Sequence, residues 1–234
     1  ARARDLGHVE RDREGEYRVG DRDQGRDPDR AEGDVPVDGL VDQRLEVLEA
    51  EASLDLAEDD ELMELMGRAN FQNVFIGIET PNEDSLRETK KYQNVRPKAG
   101  TLLERVHRVQ HHGIDVWCGM IVGFDHDNPS IFEVMPKFLA EARISAAIIS
   151  MLHAIPTTPL YDRLKQEERL NGDEASDKYG TNVIPVGMSR EELRDGFVKV
   201  MQECYSADAY FQRLDAQFVD ENFKFTLHHL PYWT

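Results

Sequence analysis

Cysteine is nearly absent from this sequence, with Cys118 and Cys204 the two thiols in 234 residues. They are too few for a disulfide framework and too far apart for a CxxC metal knuckle. Basic charge is scarce as well: 28 Lys and Arg stand against 46 Asp and Glu, a formal net charge of -18. Such an excess repels nucleic-acid phosphates and anionic membranes, so neither is expected as a partner. No apolar run reaches about 18 residues and no basic, apolar leader opens the chain, so neither a membrane span nor a secretory signal is expected. The compartment this points to is the cytoplasm.

The first fifty residues lack more still. They hold nine Arg, nine Asp and six Glu, yet no Lys, Ser, Thr, Asn, Ile, Phe, Met, Cys or Trp. Either the stretch is a GC-rich reading-frame or gene-prediction artefact, or it is a disordered polyelectrolyte arm that cannot bury enough apolar area to offset chain entropy. On both readings residues 1–45 are unstructured.

From Leu45 onward, helix and strand periods alternate. Leu62, Leu65 and Met66 give a helix over 59–69. A short strand over 74–78 ends at Glu79, Pro81 breaks it, and 83–90 can form a helical turn or two. Leu103, Val106 and Val109 share one face of a helix over 100–112, which Gly113 closes. The apolar run 116–124 reads as a parallel strand buried on both faces. A helix over 128–143, a strand over 146–152 and a helix over 160–168 follow, as βαβ units require. Ser189 and Glu192 form a capping box ahead of a helix to about Tyr205, and a last helix covers 208–219. Cys118 lies within the 116–124 strand, where a buried structural thiol is expected.

The fold class is therefore α/β: a partial (βα) barrel of TIM type over 46–170, of three to four parallel strands, with a helical C-terminal domain over 171–234. In such architectures the working groups lie at the carboxyl ends of the strands and just beyond. That selects Glu51, Glu79, the cluster Asp125, His126 and Asp127, and His153. Each has a structural alternative as a turn cap, a solvated loop or a core histidine.

The text Glu51-Ala52-Ser53-Leu54, then Phe75-Ile76-Gly77-Ile78-Glu79-Thr80-Pro81, then Gly119-Met120-Ile121-Val122-Gly123-Phe124-Asp125 resembles the later strands of a radical SAM barrel. Order and spacing are similar to the group that carries an amino-terminal cobalamin-binding domain. Residues 154–160 and 180–185 resemble the uncharacterised tail domain of that group, and the resemblance covers about 48–220. It implies a parent enzyme dependent on S-adenosylmethionine (SAM) and a 4Fe-4S cluster, with cobalamin associated. Glu79 would then bind the SAM ribose hydroxyls or amino group, as a carboxylate that accepts two hydrogen bonds can. Lys91, with Lys90 and Arg87 beside it, would meet the SAM carboxylate. Glu51 is a further candidate for the cofactor, and Gly123 would let the backbone approach its adenine or methionine part.

The chain departs from that family in lacking the CxxxCxxC run whose thiolates hold the cluster. It is therefore expected to be a carboxyl-terminal fragment, inactive alone, with substrate unknown and an open barrel edge that recruits a second copy. Two competing readings are a metal-dependent hydrolase, with Glu79, Asp125, His126, Asp127 and His153 as ligands, and an interaction module built on residues 189–233.

Overall fold

The computed structural model describes residues 9–11, 17–19, 48–95, 100–172 and 178–220. The chain divides into two units, Ala1–Gln43 and Arg44–Thr234. In the first, β1 (Val9–Arg11) and β2 (Tyr17–Val19) pair antiparallel as a two-stranded sheet of their own. The rest of the expectation for the arm lies outside the described residues.

The second unit is built on a four-stranded parallel sheet in the order β3 (Leu48–Ala52), β4 (Phe71–Glu79), β5 (Asp115–Val122) and β6 (Ala147–Met151). Sequential order with every neighbour parallel is what right-handed βαβ crossovers produce. Helices α1 (Asp60–Arg68), α2 (Glu83–Glu88), α3 (Leu102–His111) and α4 (Ile131–Glu141) fill the connections. Asp59 caps α1 through the Leu62 amide, and a Thr101–Glu104 capping box starts α3. Gly113, at φ 78°, ends α3 in the left-handed region a side chain would resist.

The expectation of strands buried on both faces is corrected here. Val116, Cys118, Met120 and Val122 of β5 are buried against helices, while Trp117, Gly119 and Ile121 on the other face are half-buried. Strand β4 divides the same way, with Ile76 and Ile78 inside and Phe75, Gly77 and Glu79 on the partly open face. The continuous apolar run concealed this because both of its faces are apolar. On the closed face Met63 and Met66 of α1, Val106 and Val109 of α3, and Met135 and Leu139 of α4 make one core. Each fully buried aliphatic side chain stabilises by about 1.5–3 kcal/mol, so this layer dominates the fold.

The register lines up the open face in rows: Glu51, Phe75 and Trp117 form one, and Gly77, Gly119 and Ile148 form the next. Beyond β6 come α5 (Pro159–Gln166), α6 (Arg190–Cys204) and α7 (Ala207–Asp215), then one π turn, Ala216–Asp220. The Ser189–Glu192 capping box starts α6 with bonds of 2.7 and 3.1 Å. Leu193 and Val200 of α6 join the same core, so the helical tail packs on the strands.

Candidate functional site

Strand β4 ends in an irregularity. Its register with β5 shifts between Gly77 and Glu79, and Glu79 takes φ 71°, a left-handed conformation uncommon for a residue with a side chain. Such conformations persist where the surroundings impose them, and they cluster at ligand sites. The shift swings the carboxylate back over Gly77: a Cβ on that glycine would stand 2.6 Å from Glu79 Oε1 and 3.4 Å from Lys91 Nζ. Lys91 Nζ itself lies 2.8 Å from Glu79 Oε1, and the two side chains stay 35% and 18% exposed. Asn94 holds the Lys91 turn in place by donating from Nδ2 to the carbonyls of Gly77 and Ile78, at 3.1 and 3.0 Å. Asn94 Oδ1 is buried without a hydrogen-bond partner.

The loop after β5 is built around Asp127, which is buried rather than solvated. Its Oδ2 accepts the Gly123 and Phe124 amides at 2.9 and 3.1 Å, and its Oδ1 accepts Ser85 Oγ at 3.0 Å. Burial pushes the Asp127 carboxyl up, against the hydrogen bonds that favour its ionised form. Asp125 behaves in the opposite way. Partial burial opposes its charge, but the guanidinium groups of Arg169 and Arg163 overcome that and hold its pKa at about 2. Arg163 lies 2.6 Å from Asp125 Oδ2 and 3.0 Å from Glu88 Oε1, and Glu88 Oε2 meets His126 Nδ1 at 3.0 Å.

Of the residues singled out by sequence, Glu79 and Lys91 come together as one charged pair. Glu51 is exposed on edge strand β3, level with Phe75 and on the same open face. The room at Gly123, whose φ is 100°, goes to domain packing: Leu193 Cδ2 stands 3.0 Å from where a Cβ would be. Arg87 is engaged with Glu83 on the surface of α2, at 3.0 Å. The metal-hydrolase reading fails on geometry. Asp125 is taken by two arginines, Asp127 by backbone amides and His126 by Glu88, and among the described residues no three His, Cys, Asp or Glu converge on one point. The interaction-module reading finds Val198, Phe211 and Val219 exposed, and residues 221–233 lie outside the described ones. Sequence reasoning missed Arg163, Arg169, Glu88 and Asn94. Their partners are distant in sequence, and no local spacing signals such pairs.

What the site can do follows from its parts. A carboxylate and an ammonium lie side by side above a strand position that has no side chain, next to a second glycine, Gly119, on the neighbouring strand. That arrangement complements a zwitterion carrying both an amino and a carboxylate group. It offers no thiolate ligand set. Cys118 and Cys204 are both buried, and burial raises both thiols, Cys204 to about 11.

Residues 158–226 match the family described as Domain of unknown function (DUF4070). The chain is 36% identical over 165 residues to an uncharacterized methyltransferase of Synechocystis sp., covering 70% of this chain and 30% of that protein. It is 33% identical over 174 residues to the hopanoid C-2 methylase of Rhodopseudomonas palustris, covering 73% and 31%. It is 27% identical over 168 residues to the bacteriochlorophyllide d C-12(1)-methyltransferase of Chlorobaculum tepidum, covering 72% and 36%. The chain thus spans about a third of the length of the curated relatives it matches.

Proposed function

We propose that the chain belongs to the radical SAM superfamily and supplies the later barrel strands and the C-terminal domain of a methyltransferase acting on a bulky apolar substrate. The observation that carries this reading is the Glu79–Lys91 pair above Gly77 at the carboxyl end of β4. Glu79 would take the SAM amino group or ribose hydroxyls, Lys91 would take its carboxylate, and Gly77 leaves the room. Exchanging partners within a charged pair costs less than desolvating two isolated charges, so the pair is preorganised for such a ligand. SAM, when bound, supplies the methyl group and the radical chemistry.

Support for methyl transfer comes from the names of the relatives, two of which act on a hopanoid and a bacteriochlorophyllide. The half-open sheet face agrees with a large apolar substrate, since Phe75, Trp117, Ile121 and Ile148 are among the side chains it presents. The thiols of this chain do not fit a 4Fe-4S cluster, and no step here runs through one; its ligands are assigned to other residues of the longer enzyme. Cobalamin is proposed as a further cofactor on the resemblance of the strand and tail segments to the cobalamin-associated group. We place the enzyme in the cytoplasm.

The test is a longer protein containing this chain, reconstituted anaerobically with iron and sulfide and given a low-potential one-electron reductant and methyl-labelled SAM with a hopanoid. Release of 5'-deoxyadenosine and label in the product are expected, with neither from this chain alone. A longer protein that takes up no iron and releases no 5'-deoxyadenosine sinks the reading.

A further inference from the structure

The domain of unknown function meets the strand-end loops at one point after another. Arg169 bonds Asp125 in the loop after β5. Gly187 lies so close to the same loop that a Cβ there would stand 2.0 Å from the Asp127 carbonyl oxygen. After β6, Thr181 Oγ1 donates to the Leu152 carbonyl. Asn182 takes both backbone groups of Ala154: its Oδ1 accepts the amide at 2.9 Å and its Nδ2 donates to the carbonyl at 2.8 Å.

The turn just beyond Ala154 is held in a conformation its sequence does not favour. Thr158 N bonds the Ile155 carbonyl at 3.2 Å, with Pro156 and Thr157 at the corner, and Thr157 takes φ 72°. That corner position calls for glycine, and a β-branched residue is among the least suited to it. Within the turn Pro156 suits the first corner position and Thr158 Oγ1 donates to the Ile155 carbonyl at 2.7 Å, but neither relieves the left-handed φ of Thr157. His153 and Ile155, on either side of Ala154 where the chain enters the turn, are both exposed, the second at 63%.

We infer that the C-terminal domain is the positioning device for the mouth of the barrel, and that Asn182 is the residue that fixes the turn after β6 in its unfavourable shape, presenting His153 and Ile155 to the substrate side. Calling that side the substrate side rests on the proposed function; the clamp itself does not. Asn182 is a positioning residue, acting through the backbone of Ala154. Strain of this kind marks sites where shape is held for a ligand.

Hydrogen exchange read by mass spectrometry on the full 234-residue chain tests the clamp without any cofactor, so its failure is separable from failure of the catalytic reading. Asn182→Ala should speed exchange of the Thr158 amide, which closes the turn on the Ile155 carbonyl, by about tenfold or more, the factor expected when a local opening equilibrium loses two hydrogen bonds. Exchange in β5 should stay at the wild-type rate. Thr157→Gly, which suits the left-handed corner, should restore slow exchange when added to Asn182→Ala, because the turn then needs no clamp. Equal acceleration in β5 and in the turn would reduce Asn182 to a general stability residue. An unchanged turn in Asn182→Ala, or no rescue by Thr157→Gly, would overturn the inference.

Discussion

The hydroxyl of Tyr205 donates to the carbonyl of Ala147, and the hydroxyl oxygen in turn accepts the Ile149 amide. Toward β5 the ladder uses Ala146 and Leu152, so Ala147 and Ile149 turn their backbone groups outward. One side chain from the end of α6 therefore occupies the free edge of β6, where another strand would otherwise add. Strand β3 ends the sheet on the other side, and among the described residues no strand pairs with its outer edge.

This asymmetry predicts how the chain associates. Wild-type chain should elute earlier from size exclusion as concentration rises, through β3. Tyr205→Phe should add a second association route through β6 and lower stability by about 1 kcal/mol, the net worth of a lost hydrogen bond. A concentration-independent monomer for both proteins would count against both edges.

One buried and one half-buried carboxylate predict opposite pH responses. Burial raises the pKa of Asp115, although Gln217, Ser145 and Trp117 all donate to it, at 2.6, 2.9 and 2.9 Å. Its folded pKa is above its unfolded one, so its contribution is complete below about pH 4 and is lost as pH rises through the folded value. Asp125, held at about 2, contributes fully above about pH 4 and loses that as pH falls toward 2. Asp115→Asn should therefore raise the urea midpoint at pH 8 more than at pH 5. Its amide can also donate to Gln217 Oε1, which is buried without a partner. An equal shift at both pH values would show that Asp115 is ionised throughout.

Much of the fold was legible in the sequence because local rules suffice for it. The Ser189–Glu192 box, the Gly113 helix end and the order of the strands each follow from residues a few positions apart. Which face of β5 is open was not legible, since Trp117 and Ile121 are as apolar as Val116 and Met120. Glu79 and Lys91 were both selected, but their mutual contact depends on the bulge at Gly77, which no periodicity announces. The Asp125–Arg169 pair was invisible because it joins a barrel loop to the next domain.

Two glycines separate crowding from tolerance. Gly187→Ala would place a methyl group 2.0 Å from the Asp127 carbonyl oxygen, a backbone atom, and should cost about 1–3 kcal/mol by overpacking. Gly119→Ala meets Phe75 Cζ at 3.4 Å, a ring on the partly open face, and should change stability by less than about 1 kcal/mol. Urea melts of the two variants would reverse this order only if the C-terminal domain stands away from the loop after β5.

Gly77→Ala distinguishes the ligand role of the site from its role in the fold. The added methyl would lie 2.6 Å from Glu79 Oε1, the far end of a flexible side chain, so the carboxylate moves and the backbone does not. Alanine is also the better strand residue, because glycine gives up more backbone entropy on ordering. The thermal midpoint should therefore hold or rise slightly. The displaced carboxylate no longer faces Lys91 at 2.8 Å, and the space above the strand is filled. SAM affinity of the longer enzyme, measured by equilibrium binding, should fall about tenfold or more, the equivalent of about 1.4 kcal/mol. Glu79→Ala should weaken SAM to a similar extent, and the double variant should add little, because both changes remove the same carboxylate from the same place. Full SAM affinity in Gly77→Ala would mean that the Glu79–Lys91 pair serves the turn after β4 and that the cofactor sits elsewhere on the sheet.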